Sequence, residues 1–166
     1  RGITGNVWLE DVISNLELRF GVKSDGENLI SFQQNSGLKG LEYLSTLIDA
    51  TINHQSLEII YTTHTGISST NVLHPYYMKQ YNNRWFIFGR IDGKDYIVNR
   101  ALDRIEGISK SDVPFRKNDL VNFNSYFDDI VGISVPYGVQ EAETTILQFS
   151  PGRFKYVVSK PLHTSQ

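Results

Sequence analysis

The spacing of apolar residues along this chain changes once, near residue 55, from a helical period to an alternating one. In "WLEDVISNLELRF", residues 8–20, Trp8, Val12, Leu16 and Phe20 recur at four-residue steps, with Leu9 and Ile13 beside them. That spacing predicts an amphipathic helix, closed by Gly21 as its C-cap. "KSDGEN" reads as a turn, and "LISFQQN" fits a short strand or an extended linker. Residues 38–54, "LKGLEYLSTLIDATINH", predict a second helix. Leu41, Leu44, Leu47, Ile48 and Thr51 form its apolar face, and Asn35 or Ser36 is placed to cap it.

Five short strands follow. They are "LEIIYTT" (57–63), "TNVLHPYYMKQY" (70–81), "RWFIFGRI" (84–91), "KDYIVNRAL" (94–102) and "RIEGISKSDVPF" (104–115). Pro75 has no N–H for a ladder, so it belongs at an edge or a bulge. Asn82-Asn83 reads as a tight turn. Asp92-Gly93 is the strongest hairpin signal, as a type I′ turn that needs positive φ at both positions. Short strands joined by such turns predict a small, strongly bent barrel. Residues 116–136 then predict a linker and a short helix, with Tyr126, Phe127, Ile130 and Val131 on one face. "TTILQFS" (144–150) predicts a strand, and Pro151 after Ser150 predicts the start of a last helix.

Composition narrows the class. The chain has 166 residues, 40% of them hydrophobic and 20% charged, which suits a globular fold with a sizeable core. No apolar run is long enough for a membrane span, and no signal peptide is recognisable, so a cytoplasmic protein without membrane contact is expected. The first and last residues read as cuts in a longer chain. There is no cysteine, which excludes disulfides, thiolate metal sites and cysteine nucleophiles.

Charge is unevenly spread. Residues 1–73 carry 4 basic and 8 acidic side chains, residues 74–117 carry 9 and 5, and residues 118–166 carry 3 and 5. A basic island therefore lies between acidic flanks, although the formal total is −2. Its ordinary explanation is solvated surface.

Several chemistries lack their residues. His54, His64 and His74 stand ten apart, which fits no metal-ligand spacing. No nucleophile elbow and no glycine-rich phosphate loop is present. Asp128 and Asp129 are adjacent, so on a helix they point about 100° apart and make a poor acid–base pair. No catalysis, no metal and no cofactor are expected.

What remains is "HPYYMKQYNNRWFIFGR", residues 74–90, dense in rings and cations. Alternation puts Arg84, Phe86, Phe88 and Arg90 on one face of their strand. Tyr77, Lys79 and Tyr81 share a face of the preceding strand, with His74, Tyr76, Met78 and Gln80 on its other side. Rings can stack on bases and arginines can pair phosphates, so these are parts of a single-stranded nucleic-acid binder. The same rings would also serve as the core of a small barrel.

Residues 57–108 resemble the WYL domain of bacterial transcription regulators. The resemblance rests on Tyr61, Pro75, the Trp85-Phe86-Ile87 triplet where that family has Trp-Tyr-Leu, and Leu102-Asp103-Arg104-Ile105 closing the motif. The flanks are similar to the segments on either side of that domain. The resemblance implies an α+β protein: a helical lead-in over 1–55, a small Sm-like β-barrel over 56–115, and a linker with a truncated C-terminal α/β extension over 116–166. It also implies a ligand-sensing role that modulates an N-terminal DNA-binding domain, which this sequence does not include. Arg104 matches the family's arginine in the closing motif. Asn71, Val98 and Ala101 stand where the family often has basic residues. The ligand expected is an oligonucleotide or single-stranded nucleic acid held by His74, Tyr76, Tyr77, Lys79, Arg84, Arg90, Arg100 and Arg104, with the guanidinium groups gathered on one outer wall. The rival expectation is a dimerisation module without a small ligand. A carbohydrate-binding β-domain has the aromatic residues but lacks a secretion signal.

Overall fold

The computed structural model describes residues 39–135, 143–161, 163 and 166. The helix expected at 8–20, the "LISFQQN" segment and the proposed caps Asn35 and Ser36 lie outside the described residues.

The helix expected at 38–54 forms in two pieces. A 3-10 turn, η1 (Leu41–Tyr43), runs directly into α1 (Leu44–Ile52). Gly40, at φ 86°, opens it in a left-handed conformation that glycine adopts without strain. Leu47 and Ala50 are buried against the sheet, while Ile48, expected on the same face, is exposed. Successive helical residues are about 100° apart, so a helix resting on one flat face buries a narrow stripe and leaves Ile48 on its shoulder.

Five antiparallel strands form one sheet: β1 (Leu57–Thr62), β2 (Ser68–Tyr81), β3 (Arg84–Ile91), β4 (Val98–Ala101) and β5 (Ile105–Lys110), in the spatial order β4-β3-β2-β1-β5. The edge strands β4 and β5 are joined by a single 3-10 turn, η2 (Leu102–Arg104). Four strand spacings would put the edges of a flat sheet about 19 Å apart, and three residues span about 10 Å at most. The sheet must therefore curl to bring its edges toward each other. Among the described residues no ladder joins β4 to β5, so the sheet is curled but open. The expected barrel closure is not formed.

β2 is long enough to serve two partners. Its first half pairs with β1 from Ser68 to Leu73, and its second half pairs with β3 from Leu73 to Tyr81. The bend between them is at Pro75, where the register slips between Pro75 and Tyr77. This is the bulge that proline's missing donor called for. Gly89 is the partner of Pro75, and a Cβ there would stand 2.3 Å from the His74 carbonyl oxygen. Only glycine fits so close an approach.

The bulge corrects the expected sidedness. The extra residue returns His74 to the face of Tyr77, because His74 pairs with Arg90 and Tyr77 pairs with Phe88. His74, Tyr77, Lys79, Arg84, Phe86, Phe88 and Arg90 thus share one face, here the outer face. The inner face holds the main core: Leu57, Ile59, Tyr61, Leu73, Ile87, Ile91, Leu102 and Ile105, closed by Leu47 and Ala50 of α1.

Other expectations shift in detail. At Asp92-Gly93 only Gly93 has positive φ, so the turn is not type I′, and β4 starts at Val98 rather than at 94. The paired positive φ values occur instead at Asn82 (46°) and Asn83 (58°), which close the β2–β3 hairpin in two residues. Residues 116–135 form turns and not the expected helix, although Tyr126 and Phe127 do pack inward. The strand expected at 144–150 is absent. The helix expected after it is present as α2 (Pro151–Ser159), with Pro151 in its first turn.

Candidate functional site

The outer face is an aromatic surface covered by a strap. Phe86, Phe88 and Ala101 are buried there beneath Tyr77, Tyr81, Phe123, Tyr126 and Phe127. Phe123 stacks on Tyr77 with ring centroids 4.8 Å apart and planes 7° from parallel. Phe127 and Tyr126 meet Phe88 edge-on, at 5.2 Å and 6.3 Å. These three rings come from residues 115–134, which run across the sheet without strand pairing. Side chains hold this strap: the Arg116 N–H donates to His74 Nδ1 at 3.3 Å, Tyr76 Oη donates to the Arg116 carbonyl at 2.8 Å, and Asn99 Nδ2 donates to the Ile133 carbonyl at 3.0 Å.

The sequence-predicted residues separate once placed on this frame. His74 is fully buried, edge-on to Phe115, with Nε2 3.4 Å from Asp92 Oδ1. Tyr76 also meets Phe115 edge-on. Burial pushes its phenol above the ordinary value, and the Asp119 carboxylate adds to this, while Arg90 and Arg116 pull the other way. Tyr77 is the platform under Phe123. Lys79 holds its ammonium 3.6 Å from the centre of the Phe127 ring, and desolvation lowers its pKa.

The four arginines do not gather on one wall. Arg84 makes a fork to Asp103, with Nη2 2.9 Å and 2.7 Å from its two oxygens. Arg90 has a side chain only 1% exposed, and its two arms reach Asp119 at 2.9 Å and Asp95 at 3.3 Å, carboxylates that are themselves 64% and 79% exposed. Arg84 and Arg90 share the outer face but lie six residues apart on β3, about 20 Å along an extended strand. Arg100 is on the opposite face: it pairs with Ile87, lies over the Tyr61 ring at 4.7 Å and donates to its neighbour's carbonyl. Its buried Nε has no hydrogen-bond partner among the described residues.

Arg104 is different. It is half-buried and has no carboxylate partner among the described residues. It lines a cleft of about 600 Å³ between η1, the end of β1 and η2, together with Lys39, Tyr43, Thr62, Thr63, Glu42, Asp103 and Glu106. Two of the three acids there are engaged, Asp103 by Arg84 and Glu106 by the Thr62 hydroxyl. Tyr43 closes one wall by donating to the Glu106 carbonyl at 3.0 Å.

Sequence reading missed Asp119, Asp95 and Phe123, the strap and loop groups that occupy Arg90 and Tyr77. The available signal is the aromatic spacing of "FNSYF" (123–127), of which the expected helix face takes in Tyr126 and Phe127 but not Phe123. Among the described residues no group of three or more His, Asp or Glu side chains is placed to hold a metal, and no helix is long and apolar enough to cross a membrane.

Nothing among curated proteins matches the chain. Among solved structures, the proteasome accessory factor B/C (PafBC) of Arthrobacter aurescens is similar at 15% identity and a TM-score of 0.44, over 49% of this chain and 13% of that one. The chain therefore corresponds to a small part of that protein's length. The WYL domain profile matches residues 42–109, from η1 through β5. That segment, less than half of the chain, is similar to the WYL domain family.

Proposed function

We propose that this chain is the regulatory part of a transcription regulator, and that its ligand is a single-stranded nucleic acid or short oligonucleotide whose phosphates enter the Arg104 cleft. The WYL match supports the regulatory role. The observation that carries the ligand is Arg104 itself: a guanidinium without a carboxylate partner among the described residues, beside Lys39 and two threonine hydroxyls. A phosphate there would accept hydrogen bonds from Arg104, Lys39 and the Thr63 hydroxyl, the Thr62 hydroxyl being already donated to Glu106, and arginine can present two of them in one plane. Nothing in this arrangement calls for catalysis. Binding changes the energy of η1 and η2 packed around the anion, and that change is passed to an attached DNA-reading domain.

Fluorescence anisotropy with a short labelled single-stranded DNA tests this. The logarithm of the binding constant should fall linearly with the logarithm of salt concentration, by about 0.7 for each phosphate contacted. Arg104→Ala should weaken binding and lower that slope by roughly one contact. Binding indifferent to both salt and Arg104 would remove the proposal.

A second reading has its own observation. Ile146, Leu147, Phe154, Tyr156 and Val158, on and before α2, are exposed, Ile146 at 89% and Tyr156 at 70%. Phe154 and Val158, four residues apart, share one face of α2, and a second copy of the chain would cover that face. Light scattering that shows a monomer at high protein concentration would exclude that reading.

A further inference from the structure

We propose that the strap of residues 115–134 is an internal stand-in for single-stranded nucleic acid, with Asp119 holding the place of a phosphate on Arg90 and Phe123 the place of a base on Tyr77. This rests on the nucleic-acid reading above and adds a second, covered binding surface to it.

Three observations on the outer face carry the inference. The first is chemical. A carboxylate on a guanidinium and a flat ring stacked parallel on tyrosine are the same two contacts a nucleotide makes with protein. Asp119 meets Arg90 at 2.9 Å and Phe123 lies 7° from parallel with Tyr77.

The second is spatial. Tyr77 pairs with Phe88, and Arg90 is two residues further along the same face of β3. Arg90 is about 7 Å along the strand from Phe88, and Tyr77 is one strand spacing of about 5 Å across, so the two are roughly 8 Å apart, within the reach of one nucleotide from its base to a phosphate. The cation and the stacking platform are therefore set at a distance that one nucleotide can span.

The third is how the strap is attached. It contributes no strand to the sheet, and no backbone–backbone hydrogen bond ties it to β2 or β3. Rings, side-chain hydrogen bonds and ion pairs hold it, so it can leave without breaking a ladder. It cannot leave the face bare, because Phe86 and Phe88 would then be exposed to water. A stacked base replaces Phe123 ring for ring, and neighbouring bases of the same strand would take the places of Tyr126 and Phe127. The Arg90 Nε, buried without a hydrogen-bond acceptor among the described residues, is a donor that a phosphate oxygen could engage and that Asp119 does not.

The experiment measures binding of a short labelled single-stranded DNA to the full chain and to Asp119→Asn and Phe123→Ala, with circular dichroism to verify folding. Removing the stand-in should tighten binding on the order of tenfold, the scale of one stacking contact. Adding Arg90→Met to Phe123→Ala should abolish the gain. If Phe123→Ala fails to fold, the near-isosteric Asp119→Asn decides. Binding by the wild type that both variants leave unchanged or weakened would overturn the stand-in while leaving the Arg104 cleft intact. Loss of wild-type binding in Arg104→Ala with a preserved gain in the strap variants would separate the two surfaces. Absence of binding in every variant would overturn both proposals. Limited proteolysis gives an independent reading: saturating DNA should expose residues 115–134 to cleavage, and protection of the strap by DNA would count against displacement.

Discussion

Gly40 lies so close to the Leu102 backbone that a Cβ at position 40 would stand 2.0 Å from the Leu102 carbonyl oxygen. This contact presses the start of η1 onto η2, and these two turns form facing walls of the Arg104 cleft. A side chain at residue 40 meets two obstacles. Its φ of 86° is in the left-handed region, and the nearest atoms are backbone, which cannot rotate away. Gly40→Ala should destabilise the fold by about 2–4 kcal/mol, the sum of a left-handed strain and an overpacked contact. A urea titration would show this as a lowered midpoint with an unchanged slope. An unchanged midpoint would mean that Gly40 does not pack against the Leu102 backbone.

A second expectation concerns the order of two substitutions in one ion pair. Arg90 is buried while Asp119 and Asp95 are largely in solvent. Removing the cation leaves two carboxylates that water can solvate. Removing Asp119 leaves a buried guanidinium with Asp95 alone. Breaking a pair by stranding its buried member is the costly direction, and replacing a buried ion with an apolar side chain of similar size is often near neutral. Arg90→Met should therefore stay within about 1 kcal/mol of wild type, while Asp119→Ala should cost about 2 kcal/mol, softened by the remaining Asp95 contact. Thermal unfolding of both variants at one pH would check the ranking. The reverse order would show that Arg90 contributes chiefly through charge.

How far the sequence foretold this arrangement depends on the range of the interaction. β1 and β3 were legible because alternation and a two-residue turn are local, and Leu57–Thr62 and Arg84–Ile91 form as expected. Pro75 announced its bulge because a missing N–H is a property of one residue. The consequence of that bulge was not legible. One extra residue in β2 moves His74 to the face of Tyr77, and strict alternation cannot register an insertion whose partner strand is not yet known. The fate of the arginines was hidden for a similar reason. Arg84 is separated from Asp103 by 19 positions and Arg90 from Asp119 by 29, so only the fold could show that these cations are already paired. The aromatic residues were ambiguous between core and surface, and the structure packs them into one cluster: Phe88 is buried, and Tyr77 is half-buried beneath Phe123.

Alkaline pH gives a third expectation, centred on the same strap. Tyr76 and Tyr126 both have pKa values raised above the ordinary 10.0, in each case first through burial. A raised folded-state value means the folded chain holds the phenolic proton more tightly than the unfolded chain does. The stability linked to this is fully present below pH 10, and it is lost as pH rises from the unfolded value through the folded one. Two structural consequences follow. Ionised Tyr76 can no longer donate to the Arg116 carbonyl, and its new charge is repelled by Asp119 even as Arg90 attracts it. Ionised Tyr126 has no such compensation beside Phe88 and Phe127. The strap should loosen above about pH 10 before the inner core of Leu57, Ile59 and Leu102 opens, because that core has its own burial and a full strand ladder. Tyrosinate absorbance followed alongside circular dichroism would resolve the order, with late-titrating phenols ionising ahead of the loss of strand signal. Tyr76→Phe should remove one late phenol and, by deleting the bond to Arg116, make residues 115–134 easier to cleave at neutral pH. If absorbance and strand signal change together in both proteins, the strap and the sheet open as one unit.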